Sequence, residues 1–215
     1  MQKPVFNVTR GTNAAMQMEP PFTFDGVSMR VLPLRANPDT LQSFVNRYLN
    51  ICPDEVGEFR AYVPYVYLMV LDYGRMSVEQ SNAGWIAQRE IAFSVPMEWY
   101  KVDGRGKLQF HDWAYCSPFI FVDNELSMAT GREVYGWPKS IVSLDHEISR
   151  WMKDPVGGRK LASVSAMVFP EMYSGRTEQS RTFFEIKTER AAGTLGWPPN
   201  PRNLLFPWVS VPAAI

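Results

Sequence analysis

The sequence predicts a mostly β, α+β chain folded as one domain, and three observations carry that prediction. Runs rich in Val, Ile, Tyr, Phe and Trp recur along the 215 residues, punctuated by Gly, Pro, Asp and Asn. Helical periodicity is clear over one stretch only, residues 37–50. Aromatic residues make up 13% of the chain, including seven tryptophans, which suits a β-rich protein with a large aromatic interior. A chain of this length buries a full core within a single domain, since single β barrels reach this size. With 46% hydrophobic and 20% charged residues it reads as globular rather than disordered.

The first thirty residues carry Pro4, Pro20 and Pro21 and read as an irregular entry, about 20 residues long, ending near "FTFDG". Asp25-Gly26 is a hairpin-type turn signal, and the alternating "VSMRVLPL" behind it is strand-like. In "NPDTLQSFVNRYLN", Asn37 can cap a helix and Pro38 suits its first position. Leu41, Phe44, Val45, Tyr48 and Leu49 then form one apolar face. Strands are expected within "EFRAYVPYVYLMVLDYG", "REIAFSVPMEWYKV" and "KLQFHDWAYCSPFIFVDN", with a turn at "DGRG" between the last two. "NELSMATGRE" (124–133) reads as a short helix or a helical turn, and "SIVSLDHEI", "KLASVSAMVF" and "RTFFEIKTE" as further strands, with a turn at "DPVGGR" between the first two. The tail from Gly193 is rich in Pro and aromatics and gives no clear element.

Composition excludes several function classes. Lys+Arg and Asp+Glu are both 22, so neither a nucleic-acid footprint nor a basic membrane surface is expected. The two cysteines, Cys52 and Cys116, lack the spacing of a zinc site or disulfide framework. The N-terminus has no apolar signal region, and the longest apolar run, residues 62–71, is interrupted by Pro64; a cytoplasmic location is the expectation. Signatures for dinucleotide binding, phosphate loops, serine hydrolysis and zinc proteolysis are missing. His111 and His146 are isolated from each other, and the "EVGEF" and "DHE" carboxylates read as solvated faces.

One stretch remains, "GREVYGWPKS" at 131–140. Pro138 lacks a backbone donor, so Lys139 cannot lie mid-way along a fully paired central strand. If the segment is extended, Tyr135, Trp137 and Lys139 share a side. Two readings follow. Either Lys139 snorkels past two aromatic rings into solvent, or the rings dry the amine and favour its neutral form. At an ordinary lysine pKa of about 10.4, roughly one amine in 2,500 is neutral at pH 7, and reaching a pKa near 7 requires about 4 to 5 kcal/mol. A neutral amine attacks a ketone or aldehyde to form a Schiff base, whose protonated imine is an electron sink.

The stretch resembles the signature of the acetoacetate decarboxylase family, in which Gly-Arg-Glu is followed after four residues by Pro-Lys. The resemblance makes Lys139 the Schiff-base nucleophile, a role for which acetoacetate decarboxylase is itself the standard example. Upstream, Glu90 in "REIAFSVP" stands six residues before a proline and corresponds to the family's active-site acid; the alternative is a glutamate paired with an arginine on an exposed strand. The resemblance spans roughly residues 20–190 and is closest at 131–139. It implies a β-barrel-like domain of antiparallel strands enclosing a cavity, a 3-oxo acid such as acetoacetate as substrate, no metal or organic cofactor, and a homo-oligomer. Tyr135 and Trp137 would line and dry the pocket, and an arginine, Arg30 or Arg132, would hold a substrate carboxylate.

Three departures qualify this. Ser140 stands where the best-known decarboxylases carry a second lysine, leaving desolvation, or a cation such as Arg89 or Arg132, to keep Lys139 neutral. The family's substrate-positioning arginine has no clean match: Arg30 and Arg35 are both near, and a structural surface role is the other reading of Arg30. Only 76 residues follow Lys139, fewer than the full barrel uses, so the C-terminal strands are pared down, the chain is a compact branch, or the sequence is truncated. The same lysine would also serve an aldolase or dehydratase acting on pyruvate-like oxo acids. A barrel that binds a small ligand without turnover, or an assembly subunit, are the non-catalytic readings.

Overall fold

The computed structural model describes residues 22–51, 57–78, 84–145, 160–168 and 179–187. The turn expected at "DPVGGR", the tail, His146 and Cys52 lie outside these. Five strands and a short partner build the larger sheet: β1 (Phe22–Arg35), β2 (Glu58–Ala61), β3 (Tyr65–Val78), β4 (Trp85–Val102), β5 (Leu108–Val122) and β6 (Lys139–Ile141). Their order is β1-β3-β4-β5-β6, with β2 also on β4. A smaller sheet contains β7 (Ser143–Leu144), β8 (Lys160–Val168) and β9 (Gln179–Lys187). Helices are α1 (Pro38–Tyr48) and α2 (Glu125–Tyr135), and among the described residues no helix is long and apolar enough to cross a membrane.

The mainly β class with a few short helices is what the chain adopts, but two expectations are corrected. The described strands do not close into a barrel. At Val142 the chain leaves β6 for the smaller sheet, so β1 and β6 remain the two ends of an open larger sheet. Nor is every pair antiparallel: β6 returns beside β5 in parallel, with Ile120 opposite Lys139, because α2 carries the chain back across the sheet.

Asp25-Gly26 is a kink inside β1 and not a hairpin. Asp25 pairs with Arg75 and Val27 with Tyr73, so the strand continues through Gly26, whose φ is +63°. The facing Gly74 fits a close approach here: a Cβ there would stand 3.2 Å from the carbonyl oxygens of Asp25 and Gly26 and would crowd both. Nearby, the β3–β4 register shifts between Tyr73 and Met76. That bulge breaks the two-residue alternation and lets Tyr73 and Met76 face the same cavity.

Both helices start at asparagine caps, of which Asn37 is the one expected. The Asn37 side chain accepts from the Thr40 amide at 3.0 Å, and Leu41 and Val45 bury against Val95, Met97 and Cys116. Asn124 caps α2 by accepting from the Ser127 amide at 3.1 Å. Gly136 ends α2 in the left-handed conformation, φ +67°. One face of the larger sheet packs on the smaller sheet through Val70, Ile91, Val142, Val164 and Ile186. The opposite face carries α2, which seats Met128 over Ala92, Ile120 and Val122. Lys139 belongs to this second face.

Candidate active site

Pro138 ends the turn after Gly136, and Lys139 opens β6 as the sequence required of a residue behind proline. The residue is 5% exposed. Nζ donates to Glu90 Oε2 on β4 and to Ser127 Oγ on α2, both at 3.0 Å, and lies 5.2 Å from the centre of the Trp137 ring. Gln88, two residues before Glu90 on the same strand face, donates from Nε2 to the same Glu90 oxygen at 2.9 Å. One carboxylate oxygen thus receives both the amine and an amide from a buried glutamine.

Gly131 explains why the motif begins with glycine. It lies within α2, directly against the lysine stem: a Cβ there would sit 2.6 Å from Lys139 Cδ. Three contacts close the segment around that packing. The Trp137 amide donates to the Gly131 carbonyl at 2.9 Å, the Gly136 amide to the Arg132 carbonyl at 3.2 Å, and Arg132 Nη1 to the Lys139 carbonyl at 3.1 Å.

The pocket has a volume of about 260 Å³. Phe22, Phe24, Tyr73 and Met76 form one wall, and Ser127, Thr130 and Gly131 another. Tyr135 and Trp137, each more than a third exposed, stack at 4.8 Å between ring centres and form the rim, while Lys139 lies buried below. They converge as expected, but by a different route: Tyr135 is the last residue of α2, and the left-handed Gly136 turns Trp137 back beside it. Burial, reinforced by the Glu90 charge, pushes the Tyr73 phenol well above its ordinary range, so the hydroxyl stays protonated beside the carboxylate.

The arginines fall elsewhere. Arg30 is exposed on β1 opposite Val70 and does not line the pocket. Arg132 is exposed too, and its guanidinium grips the Lys139 backbone. Arg89 faces away from Glu90 and pairs with Asp123 at 2.6 Å, tying β4 to the start of α2. Among the described residues, Lys139 is the only cation lining the pocket. Ser140 is exposed and outside the lining, since adjacent strand residues point to opposite faces. Sequence reading missed Ser127, Tyr73 and Gln88. Ser127, Thr130 and Gly131 follow the three- and four-residue spacing of one helix face, a signal present in the sequence. Tyr73 and Gln88 face each other only through the β3–β4 register.

The family model for acetoacetate decarboxylase matches residues 3–166, well over half of the chain. The chain belongs to the acetoacetate decarboxylase family. No curated protein matches it. Among solved structures it is similar to the acetoacetate decarboxylase of Legionella pneumophila, at 17% identity and a TM-score of 0.45, over 65% of this chain and 46% of that one. A second, from structural studies of acetoacetate decarboxylase, is 16% identical with a TM-score of 0.40, over 71% of this chain and 49% of that one. The chain therefore aligns with about half the length of these structures.

Proposed function

We propose that this member of the acetoacetate decarboxylase family is a carbon–carbon lyase that forms a Schiff base between Lys139 and a small oxo acid, most directly decarboxylating a 3-oxo acid. The observation that carries the reading is the buried Lys139 amine at the foot of an aromatic-walled pocket, within hydrogen-bond reach of Glu90 and Ser127. Glu90 accepts a proton from Nζ, and the free amine attacks the substrate carbonyl carbon. The carbinolamine loses water, with a proton supplied to the departing oxygen, and leaves a protonated imine. The carbon–carbon bond to the carboxylate then breaks, its electron pair passes into the imine, and carbon dioxide departs. Protonation of the enamine carbon and hydrolysis release product and restore the lysine. Ser127 holds Nζ in line, and the protonated Tyr73 hydroxyl on the pocket wall is a donor beside Glu90.

The same donor and acceptor favour a second reading. An imine at Lys139 flanked by an acid and a base also supports aldol cleavage or dehydration of pyruvate-like oxo acids. Incubation with acetoacetate or pyruvate, reduction by borohydride and intact-mass analysis tests both. An adduct that disappears in Lys139→Ala is expected. Absence of any adduct, or one that persists in that variant, refutes the lysine's role.

A further inference from the structure

A second cavity borders the Lys139 pocket at Glu90. Tyr73, Glu90 and Trp137 line the pocket, and the same three residues line this second cavity of about 480 Å³. Both cavities lie on the α2-bearing face of the larger sheet. Leu71 stands two residues before Tyr73 on β3, and Ala92 two residues after Glu90 on β4, so these side chains share one face of the sheet. Further from the lysine, Met97, Ala114, Cys116 and Ile120 continue the lining.

The two cavities differ in chemistry. The first gathers Lys139, Glu90, Gln88, Ser127 and Thr130, the groups a reacting carbonyl needs. Beyond Glu90, the described residues lining the second carry no charge. Ser117 turns its hydroxyl to Ser94 at 2.6 Å, and burial keeps the Cys116 thiol and the Tyr115 phenol protonated. A second carboxylate entering past Glu90 would meet like charge, whereas a hydrocarbon would meet Leu71, Ala92 and Ile120.

We propose that the two cavities are one substrate site, and that the enzyme takes an oxo compound with an extended, uncharged apolar tail. The carbonyl sits over Lys139 and the tail passes between Glu90, Tyr73 and Trp137 into the second cavity. This rests on the Schiff-base reading above and adds the class of substrate. A four-carbon oxo acid would leave the second cavity unused, while the joint volume falls within the roughly 300–1,000 Å³ of sites that enclose drug-sized ligands.

The test is borohydride trapping across a series of methyl ketones whose alkyl chain lengthens from one carbon to about eight, at equal subsaturating concentrations. Each methylene buried in the second cavity should raise the initial trapping rate about fourfold until the cavity is full. Ala114→Trp, which fills that cavity from β5, should reduce the ratio of long-chain to short-chain trapping by about tenfold or more. Trapping on Lys139 that is independent of chain length overturns the extended site and leaves the imine intact. No trapping of any member refutes the lysine's role itself. Should Ala114→Trp fail to fold, the wild-type series decides alone.

Discussion

Gly131→Ala isolates the packing that gives the family motif its first residue. Two effects oppose each other. Gly131 lies inside α2 without a left-handed φ, so alanine fits the backbone and favours the helix by about 1 kcal/mol. Against this, the new Cβ would stand 2.6 Å from Cδ, 2.9 Å from Cε and 3.2 Å from Cγ of Lys139. Carbon pairs rest at about 3.5–4.0 Å, so the stem must move by about 1 Å. Nζ cannot follow while Glu90 and Ser127 hold it from two other elements. Overpacking costs about 1–3 kcal/mol, which leaves a net loss of about 0–2 kcal/mol. At roughly 2–4 °C per kcal/mol for a chain of this size, Tm should fall by less than about 8 °C. Misplacing a nucleophile by about 1 Å should slow reaction by about 100-fold, so borohydride trapping with acetoacetate should drop far more than stability does. Calorimetry and timed intact-mass measurements read the two effects separately. Trapping at the wild-type rate in a variant with unchanged Tm would refute the claim that this glycine exists for the lysine.

Glu90→Leu should cost about 3 kcal/mol or more in chemical denaturation, since it leaves a buried amine without its counter-charge, and Glu90→Gln should cost less. Ser140→Lys, which restores the family's second lysine on an exposed position, should leave the pH dependence of trapping unchanged; a displaced profile would show that residue 140 acts on the site. Burial pushes Tyr67 up to about 12 and Tyr73 and Tyr115 higher still. Folded pKa values above the unfolded value of about 10 mean that the unfolded chain releases these protons first, so stability should be full below pH 10 and fall as pH rises towards 12. Phenolate absorbance read alongside circular dichroism checks this, and ionisation of all the tyrosines near pH 10 in a folded chain would contradict it.

The strands and both helices were legible because their signals are local. Asn37 with Pro38 and Asn124 with its helix mark two N-termini, and Gly, Pro and Asp bracket the β runs. Asp25-Gly26 misled because the same dipeptide serves a hairpin turn and a kink, and only the facing Gly74 decides between them. Within the site, Lys139 and Glu90 could be named from the family motif. Tyr73 and Gln88 could not, since their convergence depends on a strand register and a bulge that no short window contains. Arg30 and Arg132 are candidates for a substrate carboxylate by their place in the chain and their charge, and neither says where a long side chain points.

Glu90 and Arg89 are neighbours on β4 and face opposite sides of the sheet, one towards Lys139 and the other towards Asp123. The Lys139 cradle is built within a short span of chain, with Arg132 and Ser127 only 7 and 12 residues away, whereas Glu90 arrives from 49 residues upstream. Contacts of small sequence separation form early in folding, and long-range sheet pairings form late. The amine is therefore held by near neighbours in the chain, while its counter-ion comes from a distant strand. A one-residue slip of β4 that put Arg89 in the place of Glu90 would turn the carboxylate outward and reverse the sign of the charge beside Lys139. The charge that Lys139 meets is therefore fixed by the register of β4.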